Sequence, residues 1–152
     1  MMPSRRRSRE FAMQALYAVD IGQVAGPVAV SSLWAATVDG LPESSGLEAE
    51  AATPEEIEFA QSLVRGVLED MPALDAKIEA ASTNWRLTRM PGVDRNIIRV
   101  GAWELLHREV PTPVVINEAL EIAKRYGGAE SRAFVNGILD RIANEAGRGR
   151  KR

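Results

Sequence analysis

Arg5, Arg6, Arg7 and Arg9 fall within the first nine residues with no acid among them, a run suited to gripping phosphate. The guanidinium group is planar, stays charged and donates hydrogen bonds as a fork, which matches the oxygens of a phosphodiester. Several together supply salt-dependent affinity for a polyanion with little selectivity between bases. The chain as a whole has a formal net charge of -2, so a generally basic composition does not explain the cluster. The residues that follow, Glu10 to Val19, read as an amphipathic helix, which would anchor the run to folded structure. At the other end, residues 147–152 (GRGRKR) read as a flexible basic tail with nonspecific attraction for RNA, and residues 1–4 as a second flexible tail.

Other chemistries lack their residues. The sequence has no cysteine, which removes disulfides, thiolate zinc sites and cysteine nucleophiles. His107 is the single histidine, set among Leu106, Arg108 and Glu109 with no nucleophile motif beside it, and reads as a polar helix-end residue. Glu55 and Glu56 follow Thr53 and Pro54, an order that opens a helix: a hydroxyl cap, proline at the first position, carboxylates at the positive end of the dipole. The pair therefore needs no catalytic role. No catalytic residue, metal site or cofactor is expected. No stretch approaches the roughly 18 to 20 apolar residues of a membrane span, and no apolar signal segment follows the arginines, so a cytoplasmic location and no membrane partner are expected.

With 152 residues, 45% hydrophobic and 26% charged, the chain is expected to form one domain with a real core. Its charge is uneven. Residues 10–80 hold thirteen acids against Arg65 and Lys77, whereas residues 81–152 hold thirteen bases against eight acids. That asymmetry suits one surface to a polyanion; the acidic part fits either a basic partner or plain solvated helix faces.

The elements that must position these residues are helical. Phe11, Ala12, Ala15, Leu16 and Val19 make one face of a first helix, with Ser4 as N-cap and Gly22 as stop. A short helix follows Pro27, and residues 38–52 read as a mobile connection. Ile57, Ala60, Leu63, Val64, Val67 and Leu68 trace a third helix that Met71 and Pro72 end, and Leu74 and Ile78 mark a fourth. After a connector at 81–92, Asp94 caps or opens a helix in which Ile97, Gly101 and Leu105 stack beside Ile98, Ala102 and Leu106. Gly101 and Ala102 permit close helix contact, and Val110, Pro111 and Pro113 stop it. Val115, Ala119, Ile122 and Tyr126 recur on the next, ended by Gly127 and Gly128; Ser131 caps a last helix carrying Phe134, Val135, Ile138, Leu139 and Ile142. About seven helices and no convincing strand predict an all-α fold.

Three segments carry a resemblance: RRRSREFAMQALYAVD at the start, VDRNIIRVGAWELLHREVPTPVVINEALEIAKRYGG, and the closing SRAFVNGILDRIA. In order and spacing the chain resembles the NusB family of bacterial transcription antitermination factors over essentially its whole length, apart from residues near 24–52. The resemblance implies a fold of two small packed helical bundles without catalytic activity. It implies binding to boxA RNA in the leaders of ribosomal RNA operons, pairing with NusE (a small-subunit ribosomal protein), and recruitment of an antitermination complex to RNA polymerase. Some members of the family self-associate, so monomer and homodimer both stand open.

The same resemblance places positions matching Glu130 and Phe134 at the RNA surface, with Lys124, Arg125 and Arg132 adding charge nearby. Recognition of single-stranded RNA needs aromatic faces and hydrogen-bonding edges, which the 124–134 region supplies where the arginine run does not. Phe134 fits the core of its helix equally well, and Glu130 fits a helix start. The resemblance also points to Tyr17 and Asp94 for NusE, although Tyr17 fits a core edge and Asp94 a helix cap. Two other readings compete with it. A ribosomal RNA methyltransferase would need a catalytic domain for which a chain ending at Arg152 has no room, and a helical protein-interaction adaptor would leave the arginines incidental.

Overall fold

The computed structural model describes residues 4–35, 51–83 and 85–149. The connection expected at 38–52 lies outside them apart from Ala51 and Ala52, as do residues 1–3 and 150–152 of the expected tails. Among the described residues there are seven α-helices and no strand: α1 (Arg5–Asp20), α2 (Gly26–Ser32), α3 (Pro54–Glu69), α4 (Met71–Ala81), α5 (Gly92–His107), α6 (Thr112–Tyr126) and α7 (Ser131–Glu145). The all-α expectation is met. The chain divides into two compact units, Met1–Arg65 and Gly66–Arg152.

In the first unit, α1 starts where the Ser4 hydroxyl accepts from the Arg7 N–H at 3.2 Å. Its stripe of Phe11, Ala12, Ala15 and Leu16 is buried. The start of α3 is a reciprocal cap: Thr53 Oγ1 accepts from the Glu56 N–H at 3.2 Å, and Glu56 Oε1 accepts from the Thr53 N–H at 2.9 Å. Phe11, Ala52, Ile57 and Ala60 form one core cluster with Leu33 against it. Gln61, itself buried, donates to the Val30 carbonyl at 2.9 Å and fastens α3 to α2.

In the second unit, α5, α6 and α7 pack on one another in all three pairs, and α4 packs on α5 and α7. Ile98, Leu105, Ile116 and Leu139 are fully buried between them. Gly101 does bring two helices close, since a Cβ there would stand 2.9 Å from Leu139 Cδ1. Helix α5 is buried nearly all round, and it carries Arg95, Asn96, Arg99 and Glu104 inside with its apolar residues. Each of those polar groups needs a partner to be tolerable there. Arg99 meets Asp75 of α4 through two hydrogen bonds of 2.9 Å. Arg95 donates to the carbonyls of Leu87 and Met90 at 3.0 and 3.1 Å, which holds the 3-10 turn Leu87–Arg89 against α5.

Two boundaries differ from the sequence expectation. Pro113 does not stop α5, which ends earlier at His107; it sits in the first turn of α6, where a missing N–H costs no helical bond. Arg148, expected in a flexible tail, is fastened down. Its guanidinium donates to the carbonyls of Leu105 and Arg108 at 2.7 and 2.9 Å and to that of Val110. Its own carbonyl accepts from the Thr112 hydroxyl at 2.8 Å. The last carbonyls of a helix lack internal partners and carry partial negative charge, so a cation is stabilised there. Arg95, Arg99 and Arg148 thus serve packing, and the basic surplus of residues 81–152 overstates the positive charge on the surface.

Candidate nucleic-acid interface

The arginine run of the first unit is not uniform. Arg5 and Arg6 are exposed, Arg7 is half-buried and Arg9 is only 5% exposed. A helix turns about 100° per residue, so four arginines in five positions cannot share one face. The Arg5 and Arg9 guanidinium carbons lie 4.0 and 5.7 Å from the centroid of Phe59 on α3. A cation over an aromatic face is held in place without consuming its hydrogen-bond donors. Arg7 lies 3.8 Å from Glu56 Oε1 and 5.5 Å from the Phe11 centroid.

Glu56 organises this corner. Beyond capping α3, its Oε2 accepts from the Ser4 N–H at 3.2 Å, and its backbone carbonyl accepts from the buried Ser8 hydroxyl at 2.9 Å. The residue that the sequence read as a favourable helix opener therefore also fixes the first turn of α1. Arg5 and Arg6 are presented from a fixed turn as the exposed share of the positive charge.

The second unit holds the other candidates. Lys124 and Arg125 are exposed in the last turn of α6, with the Arg125 guanidinium carbon 5.4 Å from the Tyr126 centroid. Glu130, also exposed, occupies the N-cap position of α7, and Arg132 is exposed in its first turn. Ser131 does not cap that helix as expected. It is the first helical residue, 4% exposed, and its Oγ accepts from the Gly128 N–H at 2.9 Å while donating to Asp94 Oδ1 at 2.7 Å. The loop is tight enough to require glycine at 127, where a Cβ would fall 2.5 Å from Ser131 Oγ.

Phe134 is half-buried and meets Trp85 edge to face, with ring centroids 6.1 Å apart at 75°. Trp85 is 49% exposed. Both line an open groove with Ala81, Thr83, Gly137 and Arg141, whose guanidinium donates to the Ala81 carbonyl at 2.9 Å and to Thr83 Oγ1 at 3.3 Å. Sequence reasoning left Trp85 in a connector and missed it. The signal was an aromatic residue followed by Arg86 and Arg89, basic residues interleaved with a ring.

The residues expected to meet a protein partner separate. Tyr17 is 38% exposed and Ile21, one turn on, is 50% exposed. Asp94 is 4% exposed, lies in the first turn of α5 while Pro91 takes its N-cap position, and turns its carboxylate to Ser131. His107 matches its expectation as a helix-end residue: it ends α5, stacks on Trp103 at 5.1 Å and pairs with Asp70 at 3.1 Å. Among the described residues, no cluster of three or more side chains suits a metal ion and no helix is long and apolar enough to cross a membrane.

Comparison with known proteins yields one family. The model of the NusB family matches residues 6–144. The transcription antitermination protein NusB of Sorangium cellulosum (strain So ce56) is 49% identical over 148 residues, spanning 97% of this chain and 96% of that protein. Its counterpart in Anaeromyxobacter dehalogenans (strain 2CP-1) is 46% identical over 144 residues, spanning 94% and 93%. Among solved structures, T. maritima NusB superposes with a TM-score of 0.77 at 34% identity, over 95% of this chain and 94% of that one. A chain from a crystal structure of antitermination factors NusB and NusE in complex with double-stranded RNA shares the fold, with a TM-score of 0.72 at 24% identity over 95% and 99%.

Proposed function

The chain belongs to the NusB family, and on that premise we propose that it binds boxA RNA in ribosomal RNA leaders together with NusE and promotes assembly of an antitermination complex on RNA polymerase. The activity is binding, not catalysis, and it belongs in the bacterial cytoplasm, where leaders are transcribed. The observation that carries the RNA part is the exposure of Arg5 and Arg6 on a helix turn fixed by Ser4 and Glu56.

The two units contribute different terms. Arg5 and Arg6, with Arg7 behind them and Arg9 bracing Phe59, give phosphate affinity that falls with salt. Lys124, Arg125 and Arg132 add to it from the second unit. Selectivity comes from groups that meet bases: Phe134 and Trp85 as stacking edges, and Glu130 as an acceptor for a base amino group, since a carboxylate is repelled by phosphate. Tyr17, beside exposed Ile21, is the proposed contact for NusE. A homodimer that covered Arg5 and Arg6 would compete with RNA, so apparent affinity would fall as protein concentration rises.

Titration of labelled boxA RNA against a scrambled RNA of equal length, with and without NusE, tests the reading. Preference for boxA that strengthens with NusE is expected. Equal affinities throughout would leave the chain a protein-interaction adaptor.

A further inference from the structure

Asp94 and Ser131 are each 4% exposed, lie 37 positions apart, and are joined by a 2.7 Å hydrogen bond. A carboxylate only accepts, so the Ser131 proton points to Asp94 and the Ser131 lone pairs are left to accept from the Gly128 N–H at 2.9 Å. The turn is closed again by the Ser131 N–H donating to the Gly128 carbonyl at 3.2 Å, and by the Gly127 N–H donating to the Ala123 carbonyl at 2.8 Å. No side chain fits at Gly127 without displacing Ser131. The polarity of this chain of bonds is set from its buried end, by the one partner that cannot donate.

We propose that Asp94 is a positioning residue for RNA selectivity: through Ser131 it fixes the turn Gly127–Glu130 and with it the aim of Glu130 at the start of α7. The inference rests on the RNA-binding reading above. It gives Asp94 a role that its burial permits. A charge-assisted bond in a water-excluded setting is stronger than a neutral one at the surface, which suits it to holding a loop shape that base contacts depend on.

The test uses the full chain and four variants: Asp94→Ala, Asp94→Asn, Ser131→Ala and the double Asp94→Ala/Ser131→Ala. For each, affinity for boxA and scrambled RNA is measured at two salt concentrations, affinity for NusE separately, and hydrogen exchange at the Gly128 amide. Asp94→Ala and Ser131→Ala should each lower the preference for boxA by roughly tenfold, with the double variant no worse than either, because both break one relay. The salt slope should not move, since the arginines are untouched, and the Gly128 amide should lose protection. Asp94→Asn keeps an oxygen that accepts from Ser131, and should stay within about threefold of the parent.

A parent preference that Asp94→Ala and Ser131→Ala leave intact would overturn the inference alone. So would additive losses, or a loss confined to NusE affinity and equally large in Asp94→Asn. A parent chain with no preference for boxA fails the RNA reading itself, and the inference with it.

Discussion

The guanidinium carbon of Arg5 stands 4.0 Å from the centroid of the Phe59 ring. Arg9, one turn further along α1, approaches the same ring at 5.7 Å from the buried side. One aromatic side chain of α3 therefore holds two charges of α1, one exposed and one enclosed. The proposed phosphate grip of the first unit is a constructed corner, not a loose run of cations.

Replacing Phe59 by alanine should weaken that corner. A cation–π contact of an exposed arginine contributes about 0.5–1 kcal/mol, so affinity for boxA and scrambled RNA alike should fall about two- to fivefold. Titration of both RNAs checks this, and a loss for boxA alone would assign Phe59 to selectivity instead.

Glu56 should matter more to stability than any other residue of the corner. It is 3% exposed and satisfies the N–H groups of Thr53 and Ser4. Glu56→Ala removes a cap and leaves two partly buried donors to water, a cost of about 1–2 kcal/mol. Urea denaturation measures it, and Glu56→Gln, which can still accept, should lose less.

Two acid–base contacts of the second unit, Asp75 with Arg99 and Asp70 with His107, should behave differently. Asp75→Ala leaves Arg99 buried without its two-point partner, at a cost of about 3 kcal/mol. Asp70→Ala breaks a pair whose side chains are 35% and 42% exposed, and should change stability by about 0.5 kcal/mol or less. Thermal or urea unfolding of both variants checks the ranking.

Helix existence was legible in the sequence because the apolar period, the caps and the breakers all agreed. Ser4, Thr53 and the glycines at 127 and 128 mark ends where the chain turns. What periodicity could not show is a helix buried on every side. In α5 the buried charges of Arg95 and Arg99 are satisfied by Leu87, Met90 and Asp75, partners that the helical period of α5 does not reveal. The same blindness to long-range partners put Arg148 in a tail and Ser131 at a cap. At the candidate site, residue type and spacing identified Arg5 and Arg6 as exposed charge, and the family resemblance added Lys124, Arg125 and Arg132. They could not separate Arg9 from its neighbours, because its burial depends on Phe59, fifty residues away.

Trp85 should act on bases and not on phosphate. Stacking on an aromatic ring contributes about 1–3 kcal/mol per base, so Trp85→Ala should weaken boxA binding at least about fivefold without changing the salt slope, while Trp85→Phe keeps most of the affinity. Unchanged binding in Trp85→Ala would remove the groove from the RNA surface.

The most direct test of the central claim is the salt dependence of RNA affinity in the parent chain and in Arg5→Ala/Arg6→Ala. Each lost contact to single-stranded RNA lowers the magnitude of the slope of log affinity against log salt by roughly 0.7, so the double variant should lose about 1.4. Both RNAs should weaken together while the preference for boxA is retained. An unchanged slope, with affinity intact, would show that these two arginines grip no phosphate.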